Sequence, residues 1–262
     1  MTLGIGTTQP NDYFSRMLTA AFRAFIQMFT PPLRAVLLKS IGLALLVVIL
    51  IGMGLQRVFA WLAASGASWA ETSWGAVPHD VWSILAWILS IAASLGIVLG
   101  ALFLMPAVTA FVGSFFVDEI AEAVEREYYP AETPGRALPF FRALLEGLKT
   151  ALLAIVIYLL AVPFLFFGIG FLILFFASAY LLGREYFELA AMRFRPVAET
   201  KALRRQNRAY IFGAGMVIAA FVSVPILNLA TPLFAMAFMV HIHKLLSGGR
   251  AELIEPPRHG RA

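Results

Sequence analysis

Cysteine is absent from all 262 residues, which excludes disulfides, thiolate metal sites and cysteine nucleophiles. Charge is scarce too: Asp, Glu, Lys and Arg make up 13 % of the chain against 61 % hydrophobic residues. Lys and Arg are missing altogether between Val58 and Glu125. A mean hydropathy of +0.84 lies far above that of a soluble domain and marks an integral membrane protein. Met1 to Asn11 lacks the basic start of a secretory leader, so no cleaved segment is expected. No HExxH, GxSxG, P-loop or strand-following GxGxxG occurs, so neither an enzyme nor a cofactor or metal site is expected. His241 and His243 stand two apart, which turns them to different sides of a helix instead of converging on a metal. The net charge of +5 suits loops that meet anionic lipid headgroups and gives no reason to expect nucleic acid.

What is present is a series of oily runs. Residues 13–29 place Phe14, Met17, Leu18, Ala21, Phe22, Phe25 and Phe29 on one helical face, with Ser15, Thr19, Arg23 and Gln27 opposite. That pattern fits an interfacial helix on the membrane or a helix packed on the rest of the protein. A spanning helix needs ~20 apolar residues. Residues 35–64 supply a first crossing, with Lys39 and Arg57 placed to snorkel. Val81 to Val117 is uncharged over 37 residues, and the helix is expected to continue amphipathically through Asp118, Glu119, Glu122 and Glu125 as far as residue 128, before Pro130. The acidic face reads as either solvated or cation-binding. GREYFELAAMRFRP, residues 183–196, reads as either a self-paired interfacial helix or an ion cluster.

Two later runs are interrupted. Thr150 to Gly183 is cut by Pro163, and Ala209 to Val240 by Pro225 and Pro232. The pieces before the prolines reach only ~20 Å and ~24 Å at 1.5 Å per residue, short of the ~30 Å hydrocarbon. Each run is therefore expected to dip in and return, although two full crossings per run would satisfy the loop charges equally. With residues 65–80 outside, the seven Lys and Arg between Gly183 and Arg208 lie inside. Turns at membrane depth must be buried or line a wet cavity. The tips are Pro163 and the group Pro225, Asn228 and Pro232, where the Asn228 amide is expected to serve carbonyls freed by the prolines. AVP at 161–163 parallels SVP at 223–225, a short internal echo. The expected fold class is an all-α integral membrane protein with two long transmembrane helices, two re-entrant (half-penetrating) hairpins and amphipathic interfacial helices. It forms a single membrane domain over 1–262, with long helices at 35–64 and 81–128 and hairpin units at 138–183 and 197–246.

TPPLRAVLLKS, the YYP that ends the second long helix, and above all PILNLATP resemble the bacterial CysZ proteins and the etoposide-induced membrane proteins grouped with them. The likeness runs from about Phe14 to Leu246, and GREYFELAAMR resembles a branch known only as domain-containing proteins. The resemblance implies a multi-pass homo-oligomer of the bacterial inner membrane that takes up sulfate. It also implies an anion site at the start of the first long helix, where a Gly-Leu-Arg-Arg stretch binds sulfate. Here the matching residues are Pro32, Leu33, Arg34 and Ala35, so the leucine and one arginine remain. With Thr30 as N-cap, Pro31 and Pro32 supply no N–H, and the amides of Leu33 and Arg34 with the Arg34 guanidinium are left to hold an oxyanion. Arg34 also reads as a positive anchor at the headgroups. The expected function is an inner-membrane permease for sulfate-like anions, with the hairpin tips Pro163, Pro225, Asn228 and Pro232 along the path. The alternative is a non-transporting scaffold or assembly factor that binds lipid headgroups or a protein partner.

Overall fold

The computed structural model describes residues 10–74 and 79–247, and these are helical with short connections. The helices are α1 (Pro10–Gln27), α2 (Pro31–Trp74), α3 (His79–Ser114), α4 (Val117–Tyr128) and α5 (Phe140–Ala161). A 3-10 segment, Val162–Phe167, leads to α6 (Gly170–Met192), α7 (Val197–Gln206), α8 (Arg208–Val222), the single turn α9 (Pro225–Asn228) and α10 (Thr231–Leu246). Contacts divide the chain into one unit of residues 38–112 and another formed by the residues on either side of it.

The 38–112 unit contains most of α2 and α3. Its surface is apolar: Leu46, Leu50, Trp61, Trp87 and Leu95 are all exposed. Such a surface is stable only in hydrocarbon. The helix expected over 35–64 is longer in fact, running from Pro31 to Trp74, and so takes in much of the polar link expected at 65–80, of which residues 75–78 lie outside the described residues. The helix expected over 81–128 is two helices, α3 and α4, separated at Phe115 and Phe116.

In the other unit α10 is central. Its sequence, TPLFAMAFMVHIHKLL, is apolar nearly all round, and every residue from Thr231 to Lys244 is buried. Helices α1, α4, α6 and α8 pack around it. Aromatic stacking ties it to α8, with Phe221 and Phe234 rings 4.2 Å apart and Phe238 next along α10. The α6–α8 contact is close because glycines face each other: a Cβ on Gly215 would overlap the Ala179 carbonyl, and one on Gly183 would lie 2.8 Å from the Ile211 carbonyl oxygen. Helix α1 is arranged inside out relative to a soluble protein. Ala20, Ala24, Gln27 and Met28 are buried, whereas Phe14, Phe22 and Phe29 point outward. The expected polar face of α1 is thus partly an inner face, because its small residues allow close packing on α10.

Among the described residues three helical stretches are long and apolar enough to cross a membrane: Pro31–Gly66, Leu145–Phe167 and Gly170–Met192. The arms of the first hairpin reach further than expected. The α-helix ends at Ala161, but Pro163 lies at the start of a 3-10 segment, where its missing N–H costs little, and the apolar arm continues to Phe167. Helices α8 and α10, of 15 and 16 residues, remain short.

Candidate anion site and the buried polar cluster

The first turn of α2 is built from TPPLR. Thr30 stands at the N-cap position, since its carbonyl accepts the Arg34 amide at 2.8 Å. Its hydroxyl does not cap the helix but donates back to the Gln27 carbonyl at 2.7 Å. The Arg34 amide is therefore spent inside the helix, and only the Leu33 N–H remains, with no backbone acceptor among the described residues. The Leu33 side chain is fully buried and anchors the turn, while Arg34 is exposed. The guanidinium, more than the backbone, is what this turn offers an anion.

Both tips depart from expectation. The first, Val162–Phe167, is exposed throughout and wholly apolar, with Phe166 89 % exposed. It turns through Gly168 in the left-handed region at φ 73°, whose amide bonds the Leu165 carbonyl at 3.3 Å. The second is partly covered. Val224 is extended, Pro225 starts the α9 turn, and the Asn228 backbone amide bonds the Val224 carbonyl at 2.9 Å. The Asn228 side chain does not serve backbone carbonyls: its Oδ1 accepts the Thr231 hydroxyl at 3.3 Å. Pro232 is buried, and its ring lies where a Cβ on Gly113 would be. Pro225, Asn228 and Pro232 thus form one tip, Pro163 belongs to the other, and Leu33 and Arg34 stand on a separate helix.

The polar chemistry hidden from sequence lies near the ends of α4, α6 and α10. Arg193 is buried and donates to both Glu125 carboxylate oxygens, at 3.0 and 3.3 Å, to Asp118, and to the Gly135 carbonyl at 3.3 Å. Glu125 also accepts the Gly135 amide at 2.9 Å. The expected acidic face of α4 is therefore neither simply solvated nor a cation site, since Glu125 is withdrawn to meet Arg193. The 183–196 stretch likewise reaches outward. Glu188 takes Arg204 of α7 at 2.8 Å as well as Arg184 at 3.4 Å.

On α10 the two histidines separate as their spacing requires. The Tyr129 hydroxyl bonds His241 Nδ1 at 2.8 Å, and His243 Nε2 faces the Ser247 hydroxyl at 3.0 Å. Among the described residues no group of His, Asp and Glu is arranged to hold a metal ion. Lys244 pairs with Glu132 and lies 4.0 Å from the centre of the Phe194 ring. Burial raises the Tyr129 phenol above its ordinary range, with Glu132 adding to the effect, and keeps it protonated.

The family model for Sulfate transporter CysZ/Etoposide-induced protein 2.4 matches residues 20–232. The chain belongs to this family. The matched range includes Leu33, Arg34, Pro163, Pro225, Asn228 and Pro232, and stops short of His241. No curated protein matches the chain. The CysZ-type assignment agrees with the apolar helices in making this a membrane protein of a transporter family.

Proposed function

We propose that this CysZ-type protein is a permease for sulfate-like anions in the bacterial inner membrane, working as a homo-oligomer. The observation that carries the reading is the exposed Arg34 guanidinium at the first turn of α2, within a chain of the sulfate-transporter family. Arg34 forms no ion pair among the described residues. It can therefore grip an oxyanion through two N–H groups at once. The hairpins formed by α5 with α6 and by α8 with α10 supply the path, and the second tip contributes polar Asn228 and Thr231. In this arrangement α2 and α3 are the long crossings and the hairpins enter without traversing, all within one membrane domain. The short lengths of α8 and α10 support that reading for the second hairpin.

A scaffold or assembly role is favoured by one observation: the first tip offers only Val162, Pro163, Phe164, Leu165, Phe166 and Phe167, with no polar side chain to line a route. The deciding experiment is uptake of labelled sulfate by purified protein in liposomes, wild type against Arg34→Ala. Uptake that Arg34→Ala abolishes supports the permease. Uptake unchanged by the substitution removes Arg34 from the mechanism, and no uptake by the wild type favours the scaffold.

A further inference from the structure

Three polar atoms are buried without partners on the facing surfaces of α1 and α10: Arg23 Nη1, Gln27 Oε1 and His241 Nε2. Arg23 and Gln27 are one turn apart on the inner face of α1. Gln27 and His241 are completely buried, and Arg23 is half-buried. The end of α4 touches both Gln27 and His241. Gln27 Nε2 donates to Glu127 at 2.9 Å, His241 Nδ1 bonds the Tyr129 hydroxyl, and the Tyr128 ring stands edge-on to the His241 ring at 5.1 Å. The Arg23 charge acts directly on His241, Tyr128 and Tyr129. Leaving three such atoms unsatisfied in a native interior is costly, and a shared occupant would relieve all three.

The hydrogen-bonding character of each atom follows from its other neighbour. Glu127 is a carboxylate acceptor, so it fixes the Gln27 amide with nitrogen toward Glu127 and leaves Oε1 as an acceptor. With no other acceptor for its proton among the described contacts, the Tyr129 hydroxyl is assigned as donor to Nδ1, and that assignment leaves the imidazole proton on Nε2 as a donor. The set is then one cationic donor, one neutral donor and one acceptor. A fully deprotonated oxyanion would satisfy the two donors and oppose the Gln27 oxygen. An oxyanion that keeps one proton satisfies all three and neutralises the partly buried guanidinium. We propose that Arg23, Gln27 and His241 form a second anion site, separate from Arg34, that takes a small protonated oxyanion such as hydrogen phosphate or hydrogen carbonate in preference to sulfate. The site stands whether or not Arg34 receives sulfate.

The test uses the full chain, labelled with nitrogen-15 at histidine, in lipid nanodiscs titrated near neutral pH with inorganic phosphate and separately with sulfate. The His241 Nε2 resonance is expected to shift saturably with phosphate and to need roughly tenfold more sulfate, the factor set by one unmatched hydrogen bond. Arg23→Gln should weaken phosphate binding about tenfold or more through loss of a charged donor. The near-isosteric Gln27→Met should abolish the preference over sulfate, and Arg34→Ala should leave the titration unchanged. A His241 resonance that neither anion moves, as for a site filled by water alone, overturns the proposal. So does a phosphate shift that survives Arg23→Gln. Failure of the Arg34 reading appears only in sulfate uptake and moves none of these signals.

Discussion

Arg193→Met is the most informative perturbation of the fold. Arg193 joins α6, through Glu125 and Asp118, to α4 and, through the Gly135 carbonyl, to the loop that follows it. Its own backbone carbonyl also accepts the Arg136 amide at 2.9 Å. Methionine retains the stem but no donor. Glu125, buried to 2 % exposure, would then keep its charge with only the Gly135 amide to solvate it. Removing one partner of a buried ion pair costs about 3–5 kcal/mol, far more than the net worth of the pair, because the stranded charge is the expensive term. The double variant Arg193→Met with Glu125→Gln removes that charge while preserving an acceptor for Gly135. It should recover all but about 1–2 kcal/mol of the loss, the scale of the neutral hydrogen bonds still missing. Reversible unfolding in mixed micelles, followed by circular dichroism for all four members of the cycle, measures the coupling. A single variant costing under about 1 kcal/mol, or a double variant as unstable as the sum of the singles, would refute the claim that Glu125 is charged and desolvated in the native fold.

Gly215→Ala should lower stability by about 1–3 kcal/mol, read from the same unfolding curves, because the new methyl collides with the Ala179 carbonyl and must separate α6 from α8. Tyr129→Phe should cost about 1–3 kcal/mol by leaving His241 Nδ1 buried without a partner, and the His241 nitrogen-15 signal should move. Cysteine labelling from the outer aqueous phase should miss Leu229 if α8 and α10 turn back within the membrane; modification there would establish full traversal by the second hairpin. Labelling at Leu165 decides the first hairpin independently, because both of its arms are long enough to cross.

The helical class, the membrane character and the first crossing were legible because bilayer thickness converts directly into run length and composition. The arms of the first hairpin were not. A count of charge-free residues starts at Thr150, although the apolar stretch of α5 is already under way from Leu145, and it does not see that a proline can open a 3-10 turn without ending the arm. The facing of α1 was misleading for a related reason. Its stripe is the same whether the aromatic side points to core or lipid, and only the burial of Ala20 and Ala24, in a helix that packs on α10, decides the direction.

The polar interior was hidden more deeply. Arg193 finds Glu125 across 68 positions, and Tyr129 finds His241 across 112. No local spacing rule carries pairings of that separation, since periodicity reports which face a residue occupies and not what packs against it. One signal was nonetheless present: a helix as apolar as α10 carries His241, His243 and Lys244 in its last two turns. Read as headgroup anchors, they need water; buried, as they are, each requires a specific partner. Tyr129, Ser247 and Glu132 meet that requirement on one side of each residue, while His241 Nε2 and His243 Nδ1 stay buried without a partner. In a chain this apolar, unmatched polar atoms are a sharper guide to chemistry than charged residues that have already found each other, because a paired charge can be purely structural while a stranded donor calls for a ligand.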